Sequence, residues 1–156
     1  ARPRAAADDD GPRQLRPFVT SLAMESDSRV SPDGQWVSFI SRSAGAARIM
    51  VQRIDGGEPR PLTLGPGQPV SQAWSPDGTR IATAVVIDGE HFIQVYPAFF
   101  GGEPTLTTKL GPLNTIDLLR WIERDLYVEV DSREGRSLRR ISLDAGAQST
   151  NRHAGG

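Results

Sequence analysis

An all-β fold made of repeated four-stranded units is predicted by three observations. Ser31-Pro32-Asp33-Gly34 returns as Ser75-Pro76-Asp77-Gly78, 44 residues further on. Gly56-Gly57-Glu58-Pro59 is answered by Gly101-Gly102-Glu103-Pro104 at an offset of 45. Between these marks lie short runs rich in β-branched and aromatic residues, and no amphipathic helix period outlasts two turns. Two motifs recurring in one order at nearly one spacing mark an internal repeat. Four short antiparallel strands in about 44 residues are the size of one β-propeller blade. The chain holds about three such units, so the ring is incomplete unless another chain or further sequence completes it.

Taken in order, residues 1–15 have the composition of a linker or tail. The triplet Asp8, Asp9, Asp10 reads there as a solvated charge run rather than a metal lure. Pro17 to Thr20 resembles the stretch Arg60-Pro61-Leu62-Thr63, at the same distance before an SPDG, so 16–28 is expected to hold the leftover outer strand of an earlier repeat. The first complete unit is placed at 29–69. Gln35 to Ser41 is apolar on both sides, as a strand buried between layers is. Arg48 to Ile54 alternates Ile49 and Val51 with Arg48 and Gln52, a strand with one wetter face. Asp55-Gly56-Gly57 is expected to make a tight hairpin, and Pro59 to Leu64 an edge strand, where proline breaks no ladder.

The second unit, 70–115, repeats this plan with Arg80 to Ile87, His91 to Tyr96 and Pro104 to Leu110. A third, degraded unit is placed at 116–150. Leu118-Leu119-Arg120-Trp121 matches Ser71-Gln72-Ala73-Trp74, but Ile122-Glu123-Arg124-Asp125 stands where SPDG belongs. Leu126 to Val130 and Ser137 to Leu143 are its further strands, Asp144 to Ala147 takes the place of the double-glycine hairpin, and 151–156 is expected to fray.

In the tetrapeptide, Pro presets φ at the second turn position and Gly accepts the left-handed geometry that ends the turn. The Ser hydroxyl and the Asp carboxylate can accept bonds from backbone N–H groups. Ser31, Pro32, Asp33 and Gly34, and their equivalents Ser75, Pro76, Asp77 and Gly78, are therefore structural turns. One carboxylate per turn is far from the six to eight oxygens that calcium takes.

An apolar residue followed by SPDG, a Val-Ser-Phe strand, a central strand such as Ile49-Met50-Val51-Gln52, and Gly-Gly-Glu-Pro resemble TolB-like, WD-like propeller repeats. Val95 to Pro104 looks most like the versions in bacterial regulators and kinases. The resemblance covers about residues 16 to 147. It implies a non-enzymatic protein- or peptide-binding module, the sensor or interaction part of a larger bacterial signalling protein. It also implies two alternatives: the non-catalytic propeller of a prolyl oligopeptidase-like serine peptidase, and a periplasmic TolB-like scaffold. An extracytoplasmic location is favoured over a cytoplasmic one, and a homodimer of two three-blade arcs would complete a six-blade ring.

Composition agrees with a soluble globular domain: 37% of residues are hydrophobic and 24% charged, and 16 Gly with 12 Pro suit many short turns. A net charge of −1 gives no general pull toward nucleic acid or anionic membrane. No apolar run approaches the ~20 residues that span a bilayer, so no direct membrane contact is expected. Without cysteine there is no disulfide, thiol catalysis or thiolate metal site. Opening on Ala1 without a signal-peptide pattern, the chain reads as a piece of a longer protein.

Catalytic patterns are absent from the sequence. His91 and His153 are far apart, no Gly-x-Ser-x-Gly elbow exists, and no glycine-rich phosphate loop leads into a helix; no cofactor is expected. Trp36, Trp74 and Trp121 are assigned to core packing. Arg133, Arg136, Arg139 and Arg140 alternate with acidic residues, as a solvated face does. Blade topology then points to one candidate surface. SPDG joins strands one and two, and the double glycine joins strands three and four, so both lie at one end. The other end carries the two-to-three turns and the unit-to-unit loops (25–28, 65–69 and 111–114), which differ in length and chemistry. Loops on a rigid scaffold are where recognition concentrates. Arg42, Arg48, Gln68, Glu90, His91, Asn114, Arg133 and Arg136 are the candidate partner-binding residues.

Overall fold

A computed structural model describes residues 24–63, 65–99, 102–143 and 150–151. The linker 1–15, the strand at 17–20, Asp144 to Ala147 and the tail 152–156 lie outside the described residues. Among the described residues, three four-stranded antiparallel sheets follow one another in sequence order. The first contains β1 (Met24–Val30), β2 (Trp36–Ser43), β3 (Ala46–Arg53) and β4 (Arg60–Pro61). The second contains β5 (Gln68–Trp74), β6 (Arg80–Ile87), β7 (Glu90–Pro97) and β8 (Leu106–Gly111), and the third β9 (Thr115–Ile122), β10 (Asp125–Ser132), β11 (Gly135–Ser142) and β12 (Thr150–Asn151). In each sheet the strands pair in sequence order, so every connection within a sheet is a hairpin.

The two SPDG turns are built alike. Gly34 N–H donates to the Ser31 carbonyl at 2.9 Å, and Gly78 N–H to the Ser75 carbonyl at 2.9 Å. The Ser31 hydroxyl donates to Asp33 Oδ1 at 2.6 Å while accepting the Trp36 N–H at 3.0 Å; Ser75 does the same with Asp77 and the Arg80 N–H. Asp77 Oδ1 also accepts the Thr79 N–H and hydroxyl. These donors, the Ser75 hydroxyl first, hold the Asp77 carboxyl at a pKa of about 2. Both aspartates spend Oδ1 on the turn itself. Gly34 and Gly78 stand at φ +71° and +72°. A Cβ on Gly78 would meet Pro32 Cδ at a comfortable 3.7 Å, so the constraint there is backbone strain, not space. Gly78→Val is expected to cost about 1–3 kcal/mol, read as a lower melting temperature; an unchanged melting temperature would refute this turn geometry.

The sheets differ from the sequence expectation at several points. β1 starts at Met24, so 24–30 is the first strand of the first sheet rather than the end of an earlier repeat or a loop; a bulge lies between Ser26 and Arg29, with Asp27 at φ 51°. The double-glycine connection is not a tight hairpin. Gly56 and Gly57, at φ +117° and +120°, sit in a loop from Ile54 to Pro59, and the Gly57 carbonyl accepts a bond from Gln52 Nε2. β4 is two residues long, but pairing continues past it. Leu62 N–H donates to the Ile49 carbonyl at 2.7 Å, and Ile49 N–H donates to the Thr63 hydroxyl at 3.0 Å. The third sheet replaces SPDG with a turn at Glu123-Arg124, Glu123 having φ 54°, and Ile122 pairs with Asp125. Trp121 then opposes Leu126 as Trp74 opposes Ile81, which is the repeat register read from the sequence.

The core consists of two seams. Ile40, Ala47, Ile49, Val51 and Leu62 of the first sheet pack on Trp74, Ile81, Tyr96 and Ala98 of the second. Ala73, Ala82, Ala84, Ile93 and Val95 on the reverse of the second sheet pack on Leu119, Trp121, Leu126, Val128, Val130 and Ile141 of the third. Adjacent residues of β6, Ile81 and Ala82, therefore serve opposite seams, which is why that strand is apolar without alternation. Polar bonds pin the first seam: Trp74 Nε1 donates to Ser38 Oγ at 2.8 Å, and Gln72 Nε2 to the Asp27 carbonyl at 2.6 Å. The two end faces differ in chemistry. Val37 and Phe39, buried, oppose Gln52 and Met50 on the far side of the first sheet. The far side of the third sheet mixes Arg120, Tyr127 and Glu129 with exposed Ile122 and Leu138 around a shallow hollow of about 430 Å³.

Candidate functional site

The end of the sheets opposite the SPDG turns is set by three tight two-to-three connections and the loops between sheets. Ala44-Gly45, Asp88-Gly89 and Arg133-Glu134 make those turns, with Ala44, Gly45, Asp88, Gly89 and Gly135 all at positive φ. Two-residue turns leave little loop, so several candidate residues belong to strands instead. Arg42 lies next to the end of β2 and its Nη1 donates to Ser26 Oγ at 3.1 Å. Arg48 lies in β3 and is exposed, Gln68 is the exposed first residue of β5, and Glu90 opens β7, ion-paired with Lys109 at 2.6 Å. His91 is corrected outright. It is 7% exposed, in β7 opposite Gly111. It is a packing residue, not a contact offered to a partner.

Asn114 and Arg133 are the pair that the fold brings together. Asn114 N–H donates to the Asp131 carbonyl at 2.8 Å, which ties the loop after β8 to the end of β10. Around this tie lies a cleft of about 680 Å³ lined by Pro112, Leu113, Asn114, Ser132, Arg133, Glu134 and Arg139. Arg139 reaches across the seam and donates to the Leu110 carbonyl at 2.7 Å, fixing one wall. Leu113 packs against the second seam and forms an apolar floor. Arg136 is directed elsewhere, 4.0 Å from Asp117, and Arg140 lies 3.9 Å from Asp125. The basic cluster of the sequence is thus dispersed by the alternation of β11, and one member, Arg139, becomes structural. Among the described residues no three His, Asp or Glu side chains are grouped to hold a metal ion. The Ser132 hydroxyl is used within its own turn, donating to the Gly135 carbonyl and accepting the Glu134 N–H. The cleft offers the Asn114 amide, the exposed Arg133 guanidinium and the Glu134 carboxylate beside an apolar floor: donors and acceptors for a peptide backbone, not reacting groups.

The sequence reading missed one feature at the other end. Trp36, assigned to the core, is half-buried, and its ring lies 4.9 Å from that of Phe99, tilted by 53°. Trp74 and Trp121 are buried, as expected of core residues.

No family model matches the chain. Solved structures do. A TolB-assigned protein of Agrobacterium tumefaciens superposes with a TM-score of 0.66 at 22% identity, over 86% of this chain and 50% of that one. The fold is a partial β-propeller. TolB of Acinetobacter baumannii gives 0.66 at 14% identity over 88% and 34% of the two chains, and the acylaminoacyl peptidase of Pyrococcus horikoshii 0.61 at 14% over 83% and 25%. By sequence, an uncharacterized peptidase of Bacillus subtilis (strain 168), YuxL, is 38% identical over 76 residues, 47% of this chain. This chain spans 12% of that relative and half or less of those structures. The propeller repeats are thus similar both to TolB and to the propeller regions of peptidases.

Proposed function

We propose that this chain is a non-enzymatic propeller module that binds a protein or peptide segment through the cleft between Asn114 and Arg133, as the interaction part of a larger bacterial protein of the signalling or sensor kind. The carrying observation is the cleft itself: a rigid hydrogen-bonded rim from two adjacent sheets, an apolar floor, and the Asn114 amide and Arg133 guanidinium on its lining. An extended segment would satisfy the Asn114 amide through its backbone and place an acidic side chain on Arg133. Panning a displayed peptide library against the chain tests this. Enriched peptides should lose at least tenfold in affinity when Asn114→Ala and Arg133→Ala are combined, with the melting temperature unchanged. Peptides that bind the double variant as well as the parent would overturn the assignment, and so would a library that yields no binder.

A second reading has its own observation. The 38% identity to YuxL supports a place in the propeller of a prolyl oligopeptidase-like serine peptidase. A fluorophosphonate probe would label the full-length parent protein under that reading and leave it unlabelled under the first.

A further inference from the structure

At the SPDG end, a slot of about 300 Å³ opens between the first and second sheets, lined by Trp36, Val51, Arg60, Pro61, Leu62, Ala98 and Phe99. It arises because three chain segments arrive there together. Trp36 opens β2 directly after the first SPDG turn, Arg60 and Pro61 follow the double-glycine loop, and Ala98-Phe99 leave the end of β7. Arg60 opposes Val51 in the ladder, so its side chain lies on the sheet face that looks toward the second sheet. Ala98 N–H is bonded to the Thr79 carbonyl at 2.9 Å, which fixes the segment that presents Phe99. Phe99 stays 43% exposed although its ring lies against both Trp36 and Trp74. An aromatic ring anchored on two indoles and still open to water on one side is unfinished packing.

The charges around the slot select its occupant. Arg53 sits 5.4 Å over the Trp36 ring, but its guanidinium is already held by both Asp55 oxygens at 3.0 Å. Arg60 has no acidic partner among the described residues, and it is the charged side chain on the lining. The slot therefore presents an apolar, aromatic-walled space for about one side chain with an unspent guanidinium at its rim, and among the described residues no carboxylate lines it.

We infer that this slot binds the C-terminal residue of a peptide, an apolar side chain entering between Trp36 and Phe99 and its free carboxylate pairing with Arg60. Guanidinium and carboxylate match in a two-pronged geometry, and capture of a terminal carboxylate is a recurring mode of peptide recognition. The site lies at the opposite end of the sheets from the Asn114–Arg133 cleft and does not rest on it.

Fluorescence anisotropy with an N-terminally labelled tetrapeptide, Ala-Ala-Phe-Phe, tests the inference. The free acid should bind at least tenfold more tightly than its C-terminal amide. Arg60→Gln should bring the acid down to the level of the amide, and Arg60→Lys should restore part of the difference. Phe99→Ala should weaken acid and amide alike, with circular dichroism unchanged because the ring is half-exposed. Equal binding of acid and amide, an acid preference that survives Arg60→Gln, or no saturable binding of the acid would each overturn it. An internal-aspartate peptide amide that binds as tightly as the free acid would also overturn the terminal-carboxylate assignment.

Discussion

Truncating Trp74 to alanine is expected to lower stability by about 3–5 kcal/mol. The indole is buried in the seam between the first two sheets, beside Ile40, Ile49, Ile81 and Tyr96. Its removal opens a cavity in a seam that two rigid sheets cannot close by collapse. It also strips the donor from Ser38 Oγ, which is itself buried and keeps only its bond to the Arg29 carbonyl. Trp74→Phe separates the two contributions. It keeps most of the ring area, loses the N–H, and is expected to fall between wild type and Trp74→Ala. Urea unfolding monitored by far-ultraviolet circular dichroism gives both values. A loss below 1 kcal/mol for Trp74→Ala would mean that the seam between these sheets is not formed as described.

Leu126→Ala is expected to cost about 2–5 kcal/mol, and to show where the third repeat gets its stability. Leu126 is fully buried, opposite Trp121 on one side and Ile141 on the other. The third sheet lacks the SPDG staple, so packing on the second sheet must hold what turn chemistry does not. In a repeat architecture each unit is stabilised chiefly by its neighbour. Hydrogen exchange in Leu126→Ala should therefore show protection falling first in β10 and β11, while β2 and β3 keep most of theirs. Uniform loss across all three sheets would argue that the chain unfolds as one unit, and no loss at all would argue that the third sheet is not packed on the second.

Much of the fold was legible because its signals are local. A Ser-Pro-Asp-Gly turn satisfies its own hydroxyl, carboxylate and N–H groups within six residues, so it forms the same way wherever it recurs. The Trp74–Trp121 correspondence was readable even where the turn between repeats had changed, because the inward-facing position is set by strand period rather than by the turn. The candidate site was legible in part. Loop asymmetry pointed to the end of the blades where Asn114 and Arg133 meet. It did not separate these two from His91, which is buried in β7, or from Glu90, which Lys109 neutralises.

Composition, strand period and turn chemistry thus determined by themselves that this chain forms four-stranded blades at a repeat of about 44 residues, and that SPDG builds rather than acts. The tertiary structure alone decided which side chains are spent and which are left over. Arg139 is consumed by the Leu110 carbonyl and Arg53 by Asp55, whereas Arg133 and Arg60 stay available at opposite ends of the sheets. Trp36 and Phe99, from different repeats, meet only because two sheets stack. The physical reason is one of range. Turns and strand alternation are settled between near neighbours in the chain, while clefts and unpaired charges depend on contacts between residues that only the packing of whole sheets brings together.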